Sequence, residues 1–240
     1  MASSSRVLGA VSALAVTALL MVGCTSSPGA EAPTSSDSPA PSGASDDTNE
    51  IDATLLDDGR MFAVVTWGSS TCVPDVDAVE AEGQNVGVTL VDGDADQACT
   101  ADMAPRASIG AFPEGVDPTQ PITLDVTYGD VADDVDLDGQ PGLSGTPGSP
   151  TEFQPSAGWI SDGALVLLTW GSSTCPPVVE SVEGTGGSGT VTFTTENGMC
   201  TMDMAPRATI LSFGEGVDEE GFTLTLEGGN LDGTVNMIGD

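Results

Sequence analysis

The sequence predicts an all-β protein made of two tandem, similar domains, each a small disulfide-stapled β-sandwich of immunoglobulin-like size. Three observations lead to this fold class: an internal repeat, a pair of cysteines at matching places in each copy, and short apolar runs divided by turns rich in Gly and Asp. No segment shows a convincing helical stripe. Small β-barrels are the alternative architecture.

The repeat is read directly from two motifs. MFAVVTWGSSTC, ending at Cys72, matches ALVLLTWGSSTC, ending at Cys175, and CTADMAPRASI from Cys99 matches CTMDMAPRATI from Cys200. Each copy spans roughly 80 to 90 residues, which is long enough for a small domain. A bridge rich in Pro, Gly and Ser lies between the copies and predicts a linker at 140–157.

The cysteines predict one disulfide in each copy. The spacing of the copies favours Cys72 with Cys99 and Cys175 with Cys200, since such pairs oxidise outside the cytoplasm. Pairing between the copies is the alternative, and two separate domains would disfavour it.

The apolar runs predict short strands. Met61 to Thr66 and Leu165 to Thr169 follow Asp-Gly turns and are typical of buried strands. Further strands are expected at 76–79, 86–91, 122–128 and 131–137. The segment from Cys99 to Ile109 alternates between apolar and polar residues with a period of two. This pattern predicts that Met103, Ala107 and Ile109 are packed and that Asp102, Arg106 and Ser108 are solvated. In the second repeat, the corresponding prediction is that Met202 and Met204 are packed and that Asp203 and Arg207 are solvated. Pro105 and Pro206 predict an edge strand or a bulge.

The N-terminus predicts an exported, lipid-anchored protein. Arg6 precedes an apolar run from Val7 to Val22, which is typical of a signal peptide. The run ends in Leu-Met-Val-Gly-Cys, which resembles the lipobox of bacterial lipoproteins and makes Cys24 the lipidated residue. We therefore expect a signal peptide at 1–23, the lipidated Cys and a disordered tether at 24–50, and β repeats at 51–139 and 158–240. The alternative is a Cys that lies beside an ordinary cleavage site.

The charge and the missing residue types restrict the function. Asp and Glu number 37 against 4 Lys plus Arg, with no His, so the formal charge is -33. Such a field repels nucleic acid. Without His or Lys, catalysis would depend on carboxylates, hydroxyls and arginine, and we expect no enzyme activity.

Two motifs supply candidate binding residues, each with a structural alternative. The Trp-Gly-Ser-Ser-Thr-Cys loop offers an aromatic ring and hydroxyls to a sugar or peptide, or else packs on the disulfide and satisfies turn amides. The Asp-Met-Ala-Pro-Arg segment recognises a carboxylate, or else its Arg pins the edge strand through an ion pair or carbonyls. The candidates are Trp67, Ser69, Ser70, Asp102, Arg106, Trp170, Ser172, Ser173, Asp203 and Arg207.

One acidic string raises a calcium hypothesis. Asp134, Asp136 and Asp138 match the first half of an EF-hand loop, although no Glu occupies the twelfth position. The second repeat has Thr234, Asn236 and Ile238 at these places, so a solvated strand face is the favoured interpretation. We expect no other cofactor.

The paired motifs WGSSTC and CTxDMAPR resemble those of small actinobacterial lipoproteins with repeated β modules. The resemblance implies a Gram-positive, GC-rich source and a place on the extracytoplasmic face of the cell membrane, and it implies no catalytic residues. We therefore expect a non-enzymatic surface protein whose modules bind or present an extracellular protein or glycan. A carboxylate-dependent hydrolase of cell-wall glycan and a Ca²⁺-binding or structural envelope spacer are the alternatives.

Overall fold

The computed structural model describes residues 50–93, 96–194, 198–214 and 216–239, and this part of the chain is all β. A single 3-10 turn, Asp57–Gly59, is the only helical element among these residues. The expected signal peptide, Cys24 and the tether through residue 49 lie outside them. Within the described ranges, no helix has the length and apolar character needed to cross a membrane.

The first repeat forms two sheets. Its strands are β1 (Asp52–Leu56), β2 (Met61–Gly68), β3 (Asp75–Glu82), β4 (Asn85–Val91), β5 (Ala104–Ala111), β6 (Ile122–Tyr128) and β7 (Val131–Leu137). An inner sheet has the order β1-β2-β5, and an outer sheet has the order β3-β4-β6-β7. Neighbouring strands are antiparallel except β4 and β6, which are parallel.

The second repeat copies this arrangement with one change. Its strands are β8 (Ser156–Ser161), β9 (Ala164–Gly171), β10 (Val178–Thr185), β11 (Ser188–Thr194), β12 (Ala205–Ser212), β13 (Thr223–Gly228), β14 (Gly233–Thr234) and β15 (Asn236–Ile238). The outer sheet is β10-β11-β13-β14 and the inner sheet is β12-β9-β8-β15. The last strand is therefore divided, because β15 leaves the outer sheet and pairs with β8 in parallel.

An apolar cluster lies between the two sheets of each repeat. In the first repeat, Phe62 and Val64 of the inner sheet meet Val88 and Leu124 of the outer sheet. The second repeat has the same arrangement, with Leu165, Leu167, Val191 and Leu224. Burying each such side chain contributes about 1.5 to 3 kcal/mol, so these clusters are the main source of stability for the paired sheets.

A third apolar cluster joins the repeats. Ala63 and Val65 alternate along β2 with the core residues and therefore point to the opposite face of the inner sheet, where they meet Val166 and Leu168 of β9. All four are buried. This double burial explains why β2 and β9 are continuous apolar runs rather than alternating ones. The two inner sheets thus pack against each other.

Equivalent strands face each other across this contact. Strand β1 contacts β8, and β5 contacts β12. The Asp57 amide donates to Ser156 Oγ over 2.8 Å, while Gly158 packs so closely on Thr54 that no Cβ would fit, so β1 and β8 run in opposite directions. Because β2 and β9 are antiparallel to β1 and β8, they also oppose each other. The loops that follow β2 and β9 therefore lie at opposite ends of the stacked sheets.

The segment expected as a linker is packed onto the first repeat. The Gly145 amide donates to Asp58 O and the Gly148 amide to Phe112 O, each over 3.0 Å. Ser144 Oγ donates to Asp58 Oδ2 over 2.7 Å. The last two residues of the expected linker range, 156 and 157, begin strand β8. The bridge is therefore a fixed part of the first repeat's surface.

Candidate functional site

Each repeat has its own disulfide, as the cysteine spacing predicts. Cys72 bonds to Cys99 and Cys175 to Cys200, with Cα atoms 5.5 Å apart in both. The sequence separations are 27 and 25 residues. Closing loops of this length stabilises the fold by about 3.5 kcal/mol each in the chain-entropy model. Both bonds hold the Trp-Gly-Ser-Ser-Thr-Cys loop to the segment before the edge strand.

Hydroxyl groups connect the same two segments in the first repeat. Ser69 Oγ lies 2.9 Å from Thr100 Oγ1, and the Thr100 amide donates to Thr71 Oγ1 over 3.1 Å. The Ser70 amide donates to Asp102 Oδ1 over 3.2 Å. The side chains of this polar network therefore bond to one another and to backbone amides of the two segments.

The second repeat reproduces the network. Ser172 Oγ lies 2.8 Å from Thr201 Oγ1, and the Thr201 amide donates to Thr174 Oγ1 over 3.1 Å. The Ser173 amide donates to Asp203 Oδ1 over 3.2 Å. The agreement between two copies that differ in many other residues shows that the shared motifs specify this geometry.

The network lowers the pKa of both aspartates. Hydrogen bonds from Thr100 and then Ser70 lower the pKa of Asp102 to about 2. Hydrogen bonds from Thr201 and then Ser173 lower the pKa of Asp203 to about 2 as well. Both carboxylates are therefore ionised acceptors over the whole physiological range.

The arginines lie beneath the loops and donate to backbone carbonyls. Arg106 Nη1 donates to Cys72 O over 2.6 Å, and Arg207 Nη2 donates to Trp170 O over 2.7 Å. Burial lowers the pKa of Arg207, and the nearby Asp203 opposes this shift. In both arginines, Nε is buried and has no hydrogen-bond partner among the described residues. The guanidinium groups thus hold the loop to the edge strand through backbone carbonyls. This arrangement corresponds to the structural alternative, in which the arginine pins the edge strand.

The prediction of packed and solvated faces for the edge strands is wrong in part. Strands β5 and β12 do lie at sheet edges, but Arg106 and Ser108 are buried, and Ser108 Oγ donates to Pro74 O over 2.6 Å. Met103, expected to pack, is exposed, as are Met202 and Met204. The reason is that the disulfide loop covers the polar face of the strand, while residues before Ala104 lie outside the sheet.

A cavity opens beside the loop in each repeat. The second cavity has a volume of about 540 Å³, and its walls include Trp170, Ser172, Arg207 and Asn230 together with the disulfide. The first has a volume of about 420 Å³, with Ser69, Asp92, Gln97 and Arg106 and the other disulfide in its walls. The loop and the arginine segment thus meet at one concave surface in both copies.

The cavities differ where the repeats differ. Arg106 lies under the ring of Tyr128, 5.8 Å from its centroid, and Tyr128 donates to Asp92. The second repeat has Gly228 in place of Tyr128, and Asn230 and Leu231 line that cavity instead.

The two tryptophans are placed differently. Trp170 lines the second cavity, donates from Nε1 to Gln154 O over 3.2 Å, and meets Phe153 edge-on with ring centroids 5.2 Å apart. Trp67 is 37% exposed and does not line the first cavity. An aromatic wall therefore exists in one of the two sites.

No protein-family model matches the chain, and comparisons with curated proteins and solved structures find no significant match.

The three aspartates proposed as calcium ligands do not form a common coordination site. Asp134 and Asp136 belong to strand β7, so the loop that an EF-hand requires is absent there. Asp134 lies opposite Asp125 in the register, and this neighbouring charge raises the pKa of Asp134, while Asp136 accepts from Thr123 Oγ1 over 2.7 Å. Asp138 follows the strand. The described ranges contain no group of three or more His, Cys, Asp or Glu residues able to hold a metal ion.

Several cavity residues could not be found from the repeat. Asp92, Gly93 and Gln97 of the first site, and Asn230 and Leu231 of the second, come from loops whose sequences differ between the copies. Repetition was the only sequence signal for the site, and these residues do not carry it.

Proposed function

We propose that this chain is a lipid-anchored cell-surface protein without catalytic activity, whose two tandem β-sandwich modules bind a neutral segment of an extracellular glycan. The observation that carries the proposal is the duplicated cavity, formed in both repeats by the same loop, disulfide and arginine segment. Duplicate sites at opposite ends of the stacked sheets suit a protein that connects two stretches of a surface polymer.

The chemistry of the walls favours a neutral polar ligand. The formal charge of -33 opposes the approach of anions, and the arginine guanidinium groups are already bonded to carbonyls. Trp170 offers an aromatic face and Asn230 an amide, while the Ser172 hydroxyl is held by Thr201 at the edge of the cavity. Aromatic rings next to a few polar groups are typical of small-ligand sites.

The walls support a binding role over hydrolysis. A glycoside hydrolase needs two carboxylates about 5 to 10 Å apart across the scissile bond. The described lining of the second cavity contains no carboxylate, and that of the first contains Asp92 alone. The described lining residues therefore supply no acid-base pair to either cavity, which favours binding over hydrolysis.

The cell-surface part of the proposal depends on the N-terminal sequence. The apolar run ending at Gly23-Cys24 supports export and lipidation, and the Ser-, Pro- and Thr-rich stretch after it supports a tether. Acyl chains would hold the protein at the membrane by about 0.8 kcal/mol per buried CH₂, against the repulsion of anionic headgroups.

Two glycines allow each cavity to be filled separately. A Cβ on Gly198 would lie 3.9 Å from Cys175 Sγ, and a Cβ on Gly93 would lie 3.5 Å from Asp75 Oδ2, so both positions accept a side chain. Gly198→Trp and Gly93→Trp should each remove one of two binding sites for neutral oligosaccharides, measured by titration with oligomers of N-acetylglucosamine and of hexoses. The matched control is Gly187→Leu at an exposed turn, where a Cβ also meets only ordinary contacts. Unchanged stoichiometry in the double variant, or binding to peptides instead of sugars, would contradict the proposal.

A further inference from the structure

The disulfide segment of the second repeat carries three exposed methionines. Met199 and Met202 are fully exposed, at 100% and 102%, and Met204 is 53% exposed. Methionine is normally among the more buried residue types. The first repeat has Ala98 and Ala101 in place of Met199 and Met202, so the shared fold does not require these side chains.

The backbone that carries the methionines is fixed. Cys200 is bonded to Cys175, and Thr201 and Asp203 are tied to the serine loop by the hydrogen bonds described above. Met202 and Met204 stand on either side of the anchored Asp203 and extend into solvent. Residues two apart in an extended chain are separated by about 6.6 Å, a span that two flexible thioether side chains cross easily.

We propose that Met199, Met202 and Met204 form a binding site for a soft monovalent cation of the Cu(I) class. Thioether sulfur is a poor ligand for Ca²⁺, Mg²⁺ or Zn²⁺, whereas Cu(I) prefers sulfur ligands, including methionine. The strong negative charge of the chain raises the local concentration of any cation. The methionine side chains do not line the glycan cavity, although the neighbouring Gly198 and Cys200 do.

The experiment uses Ag(I), which shares the d¹⁰ configuration and ligand preference of Cu(I) and needs no reductant that would open the disulfides. The full chain in detergent is titrated with silver nitrate in a chloride-free buffer by calorimetry. In parallel, the methyl signals of ¹³C-methyl methionine are followed by NMR. We expect one Ag(I) per chain, with shifts at Met199, Met202 and Met204 and none at Met103 of the first repeat.

The first repeat supplies the matched variant. Met199→Ala with Met202→Ala installs the residues that the first repeat has, and should weaken Ag(I) binding at least tenfold without moving the melting temperature. Met103→Ala should leave binding unchanged. Absence of Ag(I) binding would overturn the proposal. Equal affinity in the double variant, or displacement of Ag(I) by Zn²⁺ at equal concentration, would also overturn it because the ion would then be held by other groups.

Discussion

The cluster between the two inner sheets allows a thermodynamic test of how the repeats are joined. Val65 of the first repeat and Leu168 of the second are buried in this cluster, at 1% and 0% exposure. Truncating a buried leucine to alanine costs about 3 kcal/mol or more, and truncating a valine costs somewhat less. For a chain of this size, 3 kcal/mol corresponds to about 6 to 12 °C in melting temperature.

The informative quantity is the coupling between the two substitutions. Urea unfolding of Val65→Ala, Leu168→Ala and the double variant closes a double-mutant cycle, and residues of one shared cluster should couple by about 1 kcal/mol or more. The control pair is Val65→Ala with Leu224→Ala, since Leu224 is equally buried but belongs to the cluster inside the second repeat. That pair should be additive within about 0.5 kcal/mol. If both cycles give the same coupling, or if unfolding shows two separate transitions, the repeats are independent and the reasoning fails.

Two further predictions concern the aspartates of the loop networks and the lipid anchor. Because the folded pKa of Asp102 and of Asp203 is about 2, below the unfolded value near 3.9, their stabilising effect is present above pH 4 and is lost as the pH falls toward 2. Asp102→Asn with Asp203→Asn should therefore lower the melting temperature clearly at pH 5 and much less at pH 2; an equal difference at both pH values would contradict this. Cys24→Ser should move the protein from the membrane fraction to the medium, and an unchanged fractionation would exclude the lipid anchor.

Much of the β architecture could be predicted from the sequence because the repeated motifs identify the residues that both copies require for folding. The disulfide pairs and the buried strands β2 and β9 are specified by shared motifs and by apolar runs. Strand β1 is missed, because Asp52–Leu56 is short and begins with a charged residue. The packing of Ala63 and Val65 on the second repeat is also missed, because a continuous apolar run indicates burial without indicating the partner.

The candidate site shows a different limit. Reading burial from a period of two assumes that the polar face of a strand is exposed to solvent. A loop closed by a disulfide can cover that face when the carbonyl groups of the loop accept hydrogen bonds from the polar side chains. Arg106 and Ser108 are buried in this way, against Cys72 O and Pro74 O. Such a cover depends on tertiary position, which local alternation does not encode.

The contact between equivalent strands of the two inner sheets suggests how the repeat arose. When β1 meets β8 and β5 meets β12, one surface patch meets a copy of itself, as in a twofold symmetric homodimer. A single ancestral module with this patch would self-associate, and joining two genes end to end would make that association independent of dilution. The fused form can then let its two halves diverge, which two copies of one gene product cannot do.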